Sequence, residues 1–226
     1  MKESFRSTKP ITELAFNVLL RLCPEEANHP DYRELIDRGL VASGDRGGTP
    51  WWDIRFTQVS GPAPSFTKYH DMNAQYQAIG TQLIRWIKDE GVRPSDICIL
   101  HMGELPERKL SSVVLRMLKD HGIELEILKG ATFDCNDQAV LATSPHSFKG
   151  YDAEIVVIPN VESFCTRVGQ PLSQALYVAM TRARSVLALY GVFSNREGSQ
   201  GILKVIEDSL DAMEFRPSVE SEAGEP

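Results

Sequence analysis

The chain has 226 residues, 42% of them hydrophobic, with 24 Lys and Arg against 31 Asp and Glu, a net charge of −7. That length holds one domain with a proper core, while the acidic balance argues against an autonomous nucleic-acid binder, which is usually basic. The longest apolar runs are too short to span a bilayer. Residues 1–8 carry no apolar signal region, so no membrane partner is expected and a cytoplasmic location is. The four cysteines (Cys23, Cys98, Cys135, Cys165) form no C-x-x-C pair and read as reduced thiols, and the five histidines show no metal-ligand spacing.

In chain order, the pattern predicts a helix over 11–21 with Pro10 in its first turn, then a helix over 32–38. A mobile glycine-rich loop is expected over 39–50 and a strand over 53–59. Apolar residues at helical spacing mark 72–90, and a P-x-D-I turn leads into a strand over 97–101. A helix over 107–120 ends at Gly122, followed by a strand over 124–128. Residues 129–138 make a loop of ordinary length. Strands over 140–143 and 154–158, a helix over 172–181, a strand over 186–190 and a helix over 201–212 complete the pattern. Strands alternating with helices predict an α/β fold, a mainly parallel sheet with helices on both faces. The domain is placed over 1–213. The acidic stretch 214–226 is short of apolar residues and reads as a disordered tail.

Two segments concentrate chemistry. The first, residues 139–159, has two apolar runs separated by Thr143, Ser144, His146, Ser147, Lys149, Gly150 and Asp152. Hydroxyls, an imidazole and an ammonium beside a glycine are the groups that hold phosphate and sugar oxygens. A polar loop with no ligand is the plain alternative. In the second, a helix runs into Thr181-Arg182-Ala183-Arg184 and on into a strand. This puts two permanently charged guanidinium forks at a helix-to-strand junction, the kind of sheet edge where α/β proteins bind ligands. For an isolated arginine pair, an ordinary solvated turn would be the simpler reading.

Together the segments resemble the last motifs of superfamily 1 helicases of the UvrD/Rep/PcrA type. Residues Ser144-Pro145-His146-Ser147-Phe148-Lys149-Gly150-Tyr151-Asp152-Ala153 are similar to that family's fifth motif, roughly T-x-H-x-x-K-G-L-E-F. Tyr177-Val178-Ala179-Met180-Thr181-Arg182-Ala183 is similar to the sixth, roughly Y-V-A/G-x-T-R-A. Ser4-Phe5-Arg6-Ser7-Thr8 resembles the fourth, an aromatic-Arg-Ser-Thr run before a helix. The order of the three is the family's order, and the likeness spans about residues 4–210. No G-x-x-x-x-G-K-S/T phosphate loop is present, and residues 44–50 lack the lysine and hydroxyl at the right spacing.

The resemblance therefore implies the second RecA-like domain of an ATP-dependent DNA helicase, without the phosphate loop itself. ATP with Mg²⁺ would bind only together with an N-terminal RecA-like domain, in cis or in trans. Arg182 would be the arginine finger and Arg6 a second contact to the γ-phosphate. Phe5 would stack on adenine, and Gly150 and Asp152 would lie near the ribose. Ser144, His146 and Lys149 would contact single-stranded DNA, weakly for this chain alone, and a patch including Lys68 could assist. The resemblance also implies service in DNA transactions such as repair. The chain differs from the pattern at Ser144 for Thr, at Asp152 for Glu, and at Tyr151 and Ala153 for Leu and Phe. A non-catalytic RecA-like module that binds a nucleotide or a partner is the alternative, and an unrelated α/β enzyme the more distant one.

Overall fold

The computed structural model describes residues 7–57, 59–128, 138–164, 173–193 and 197–214. Phe5, Arg6, most of the 129–138 loop and residues 215–226 of the tail lie outside the described residues. Helix α1 spans Lys9–Leu22, with Pro10 in its first turn, and α2 spans Pro30–Asp37. Strands β1 (Val41–Arg46) and β2 (Thr49–Ile54) follow, then β3 (Ser65–Tyr69). Helix α3 (Met72–Ile84), capped by the Asp71 carboxylate, extends through a π turn to Asp89. After β4 (Ile97–Leu100), α4 (Glu104–Lys109), a second π turn and α5 (Leu115–Asp120) form one continuous helical stretch. The remaining elements are β5 (Glu124–Ile127), β6 (Ala139–Thr143), β7 (Ala153–Ile158), α6 (Ser173–Met180), β8 (Ala183–Val192) and α7 (Glu197–Glu214).

Six strands form one sheet in the order β3-β8-β7-β4-β6-β5, and every neighbouring pair is parallel. Alternation along the strands sorts side chains to two faces, as a pleated sheet requires. On one face Cys98, Leu100, Val156, Ile158, Leu187 and Leu189 pack against apolar residues of α1, α6 and α7. On the other, Ile97, Ile99, Val140, Ala142, Ile155 and Val157 pack against α3, the π turn after α4, and α5. The mainly parallel sheet with helices on both faces is the fold the sequence predicts.

The amino-terminal third departs from the prediction. Residues 41–54 are an antiparallel hairpin, where the sequence suggested a mobile loop followed by a strand over 53–59. Arg46 pairs with Thr49 across a two-residue turn in which Gly47 and Gly48 have φ of 62° and 83°. Both values are in the left-handed region that such a turn needs and glycine adopts freely. The Asp45 carboxylate accepts from the Gly48 N–H at 2.8 Å, and the Arg46 guanidinium lies 4.6 Å from the Trp51 ring centre. Asn17 of α1 clips the hairpin to the domain: its Nδ2 donates to the Trp52 carbonyl at 3.0 Å and its Oδ1 accepts from the Trp52 N–H at 2.8 Å. Strand β3 was hidden in the sequence by Pro62 and Pro64, which suit an edge position and not a central strand.

Candidate nucleotide-arginine site

The segment from Ser144 to Asp152 joins two parallel strands, so it must travel from the carboxyl end of β6 to the amino end of β7. Thr143 is level with Leu100 of β4, whereas Ile155 is level with Ile97. At about 3.3 Å per residue, the two ends of the segment are separated by roughly 16 Å along the strand direction. Ser144 starts the crossing: its hydroxyl accepts from the Ser147 N–H at 3.1 Å, and its carbonyl accepts from the Phe148 N–H at 3.1 Å. Phe148 is buried in the core with α1 and α6 and pins the turn to the sheet face. His146 and Lys149 are exposed. Gly150 has φ of +92°, a left-handed conformation that a side chain would strain.

Arg182 follows α6 directly and precedes β8. The helix ends in Thr181, whose hydroxyl donates back to the Tyr177 carbonyl at 2.9 Å. The Ala153 N–H donates to the Arg182 carbonyl at 3.0 Å, which locks the two segments together. The guanidinium then lies over the 150–152 turn. Its Nε donates to the Val178 carbonyl at 3.3 Å, and its Nη1 donates to the Tyr151 carbonyl at 3.4 Å and stands 3.8 Å from the Asp152 carboxylate. Tyr151 itself is exposed. Arg184 is held more firmly. Its Nη1 is 3.0 Å from Glu154, whose second oxygen accepts from the Ser185 hydroxyl at 2.7 Å.

The amino-terminal segment joins this cluster. The Ser7 hydroxyl donates to the Thr181 carbonyl at 3.2 Å, and the Thr8 N–H donates to the Arg184 carbonyl at 3.0 Å. Gly61 passes so close to Thr8 that a β-carbon there would lie 2.3 Å from the threonine methyl. Ser7 and Thr8, the described part of the first sequence segment, therefore touch the third segment, which in turn touches the second.

The structure revises two sequence expectations. The junction carrying Arg182 and Arg184 is at the amino ends of the strands, opposite the carboxyl-end crevice where open sheets usually bind ligands. The helix-to-strand direction dictates this, because a helix enters a strand at its amino end. Lys68 does not join a patch with His146 and Lys149. It lies on edge strand β3, four strand steps from β6 and so about 19 Å away at 4.8 Å per step, and its ammonium pairs with Glu207 at 2.7 Å.

Sequence reasoning missed a polar cluster at the carboxyl edge. The Tyr76 hydroxyl donates to Asn160 Oδ1 at 2.7 Å, and Asn160 Nδ2 donates to Glu162 at 2.8 Å. Glu162 also accepts from the Val192 N–H at 3.1 Å. Burial holds the Glu162 carboxyl above its ordinary range, and Asn160 is the one non-glycine residue with positive φ among the described residues. His101, just after β4, is buried, and burial pushes its imidazole pKa down. No group of His, Cys, Asp and Glu side chains that could hold a metal ion occurs among the described residues. No helix there is long and apolar enough to cross a membrane.

No protein-family model matches the chain, and no curated protein matches its sequence. Among solved structures, it is similar to the C-terminal domain of a possible DNA helicase from Lactobacillus plantarum WCFS1. That match has a TM-score of 0.54 and 18% identity over 92% of this chain and 97% of the other. A second match is to Arterivirus nonstructural protein 10, a helicase solved with DNA, with a TM-score of 0.39 and 9% identity over 73% of this chain and 44% of that one. At these identities the first match speaks for the fold.

Proposed function

We propose that this chain is the second motor domain of an ATP-dependent DNA helicase or translocase. In this reading it presents Arg182 to the γ-phosphate of ATP at an interface with a RecA-like domain that carries the phosphate loop. One observation carries the proposal. Three segments that resemble helicase motifs, far apart in sequence, meet at the amino ends of β7 and β8 through the Ser7–Thr181, Thr8–Arg184 and Arg182–Tyr151 hydrogen bonds. Arg6, which immediately precedes Ser7 in the sequence, is proposed as the second γ-phosphate contact.

The residues present fit the phosphate end of a nucleotide and not its metal. Arg182 supplies a fork that can pair with phosphate oxygens, while the described residues hold no metal-ligand cluster, so the ligands of Mg²⁺ are assigned to the partner domain. ATP supplies the phosphoryl group whose transfer releases energy, and Arg182 stabilises the charge that develops on it. Gly150 would face the sugar and Phe5 the adenine. Ser144, His146 and Lys149, at the start and middle of the crossing segment, would grip single-stranded DNA. One short covalent path then links nucleotide state to DNA grip.

The test is an ATPase assay with and without single-stranded DNA. The chain alone should show no turnover. Joined to a phosphate-loop RecA-like domain, in cis or in trans, it should support DNA-stimulated turnover. Turnover by the isolated chain that a substitution within it abolishes would refute the reading. Nucleotide binding that never leads to turnover with any such partner would favour the non-catalytic module.

A further inference from the structure

The amino ends of β7 and β8 carry two acid–base rungs, Asp152–Arg182 and Glu154–Arg184. The inner rung is closed: Glu154 engages Arg184 with one oxygen at 3.0 Å and Ser185 with the other at 2.7 Å. The outer rung is loose, with Arg182 and Asp152 3.8 Å apart and both side chains about a fifth exposed. The two arginines look alike in the sequence, yet Arg184 touches its carboxylate directly, in a pair about two-fifths exposed, whereas Arg182 stands off from its own.

We propose that Asp152 is a positioning residue for Arg182, holding its guanidinium against the 150–152 turn until a polyphosphate chain takes the place of the carboxylate. The proposal rests on the reading of Arg182 as a phosphate contact. It departs from that reading in giving Asp152 a role on the arginine instead of on a ribose.

The geometry supports this in three ways. The backbone bond from Ala153 N–H to the Arg182 carbonyl, with Ala153 in register with Ala183, sets Asp152 beside Arg182, so carboxylate and guanidinium remain within reach of one another. The described hydrogen bonds of Arg182 use Nε and Nη1, which donate from opposite edges of the guanidinium. Among the described residues Nη2 makes none, so the fork has a nitrogen ready for an incoming oxygen. Finally, carboxylate and phosphate bind a guanidinium through the same charge-assisted N–H···O⁻ bond. Exchanging one for the other never leaves Arg182 unpaired, and the more highly charged phosphate wins.

The full chain, labelled with ¹⁵N and assembled with a phosphate-loop RecA-like domain, provides the test. The Arg182 Nε–Hε signal is assigned by its loss in Arg182→Lys, and inorganic tripolyphosphate and ATP are the probes. In Asp152→Asn, solvent exchange at that signal should rise severalfold, and tripolyphosphate should bind about two- to fivefold more tightly, the range of a partly exposed ion pair. Asp152→Glu should restore wild-type exchange. Glu154→Gln, on the inner rung, should leave the Arg182 signal unmoved, and equal melting temperatures would confirm that all variants fold. The proposal is overturned if Asp152→Asn changes neither exchange nor tripolyphosphate affinity. It is equally overturned if the variant weakens ATP alone, as a ribose contact would. A third result separates the two readings: exchange rises in Asp152→Asn, but tripolyphosphate never perturbs Arg182. That would reject the phosphate role of Arg182 and the motor reading with it, while the hold of Asp152 on Arg182 would stand.

Discussion

Replacing Arg182 by alanine should cut the ATPase of the assembled motor by about 10³-fold or more, the scale of a lost arginine finger. That is about 4 kcal/mol of transition-state stabilisation at 1.36 kcal/mol per decade. Instability cannot account for such a loss. In the free domain Arg182 makes two long hydrogen bonds, at 3.3 and 3.4 Å, and a 3.8 Å ion pair, and its side chain is 21% exposed. Partly exposed pairs of this kind contribute about 1 kcal/mol or less, against about 5–15 kcal/mol for a domain. Arg184→Ala is the matched control, since it breaks a shorter pair, to Glu154 at 3.0 Å, without touching the proposed phosphate contact. Steady-state ATPase with saturating single-stranded DNA, read beside thermal unfolding, separates the two. Arg182→Ala should unfold within a few degrees of wild type and lose turnover, whereas Arg184→Ala should keep turnover. Equal losses in both variants, or full activity in Arg182→Ala, would refute the reasoning.

Asn17→Leu should destabilise the chain by about 2–4 kcal/mol in urea unfolding, because it leaves both the N–H and the carbonyl of Trp52 without their partner. Glu13 is buried in α1, and burial raises its carboxyl above the ordinary value of 4.5 despite nearby Lys9 and Arg46. The folded state therefore binds the proton more readily than the unfolded state, and stability falls as pH rises from about 4.5 through the raised folded value. Glu13→Gln should accordingly be more stable than wild type at pH 7, with the difference shrinking toward pH 4; a gap that is constant with pH would contradict this. In the assembled protein His146→Ala should weaken single-stranded DNA binding and flatten its dependence on log salt. Unchanged DNA affinity with reduced nucleotide affinity would move His146 to the nucleotide side.

The sheet was legible in the sequence because buried parallel strands are short continuous apolar runs, such as Ile155–Val156–Val157–Ile158, set between amphipathic helices. The hairpin was not. Its strands, with Ser43, Gly44 and Asp45 in one and Pro50 in the other, lack the apolar alternation that marks a half-buried strand. The sign that would have revealed it is Gly47–Gly48 followed by a tryptophan pair. For the site, the motifs gave the residue types, but the sequence could not show that Arg184 pairs with Glu154, which Ser185 also holds, while Arg182 stands 3.8 Å from Asp152. That distinction arises from the register of β7 on β8, a pairing between residues about 30 positions apart. The polar cluster of Tyr76, Asn160, Glu162 and Val192 was hidden for the same reason: its members come from three separate stretches of the chain that meet only in the fold.

The most direct test of the central claim is a structure of this chain assembled with a phosphate-loop RecA-like domain and a non-hydrolysable ATP analogue. The account predicts the Arg182 guanidinium within hydrogen-bonding distance of the γ-phosphate and withdrawn from Asp152, with Arg184 still on Glu154. An Arg182 that remains on Asp152 and Tyr151, with the nucleotide bound elsewhere on the domain, would contradict it.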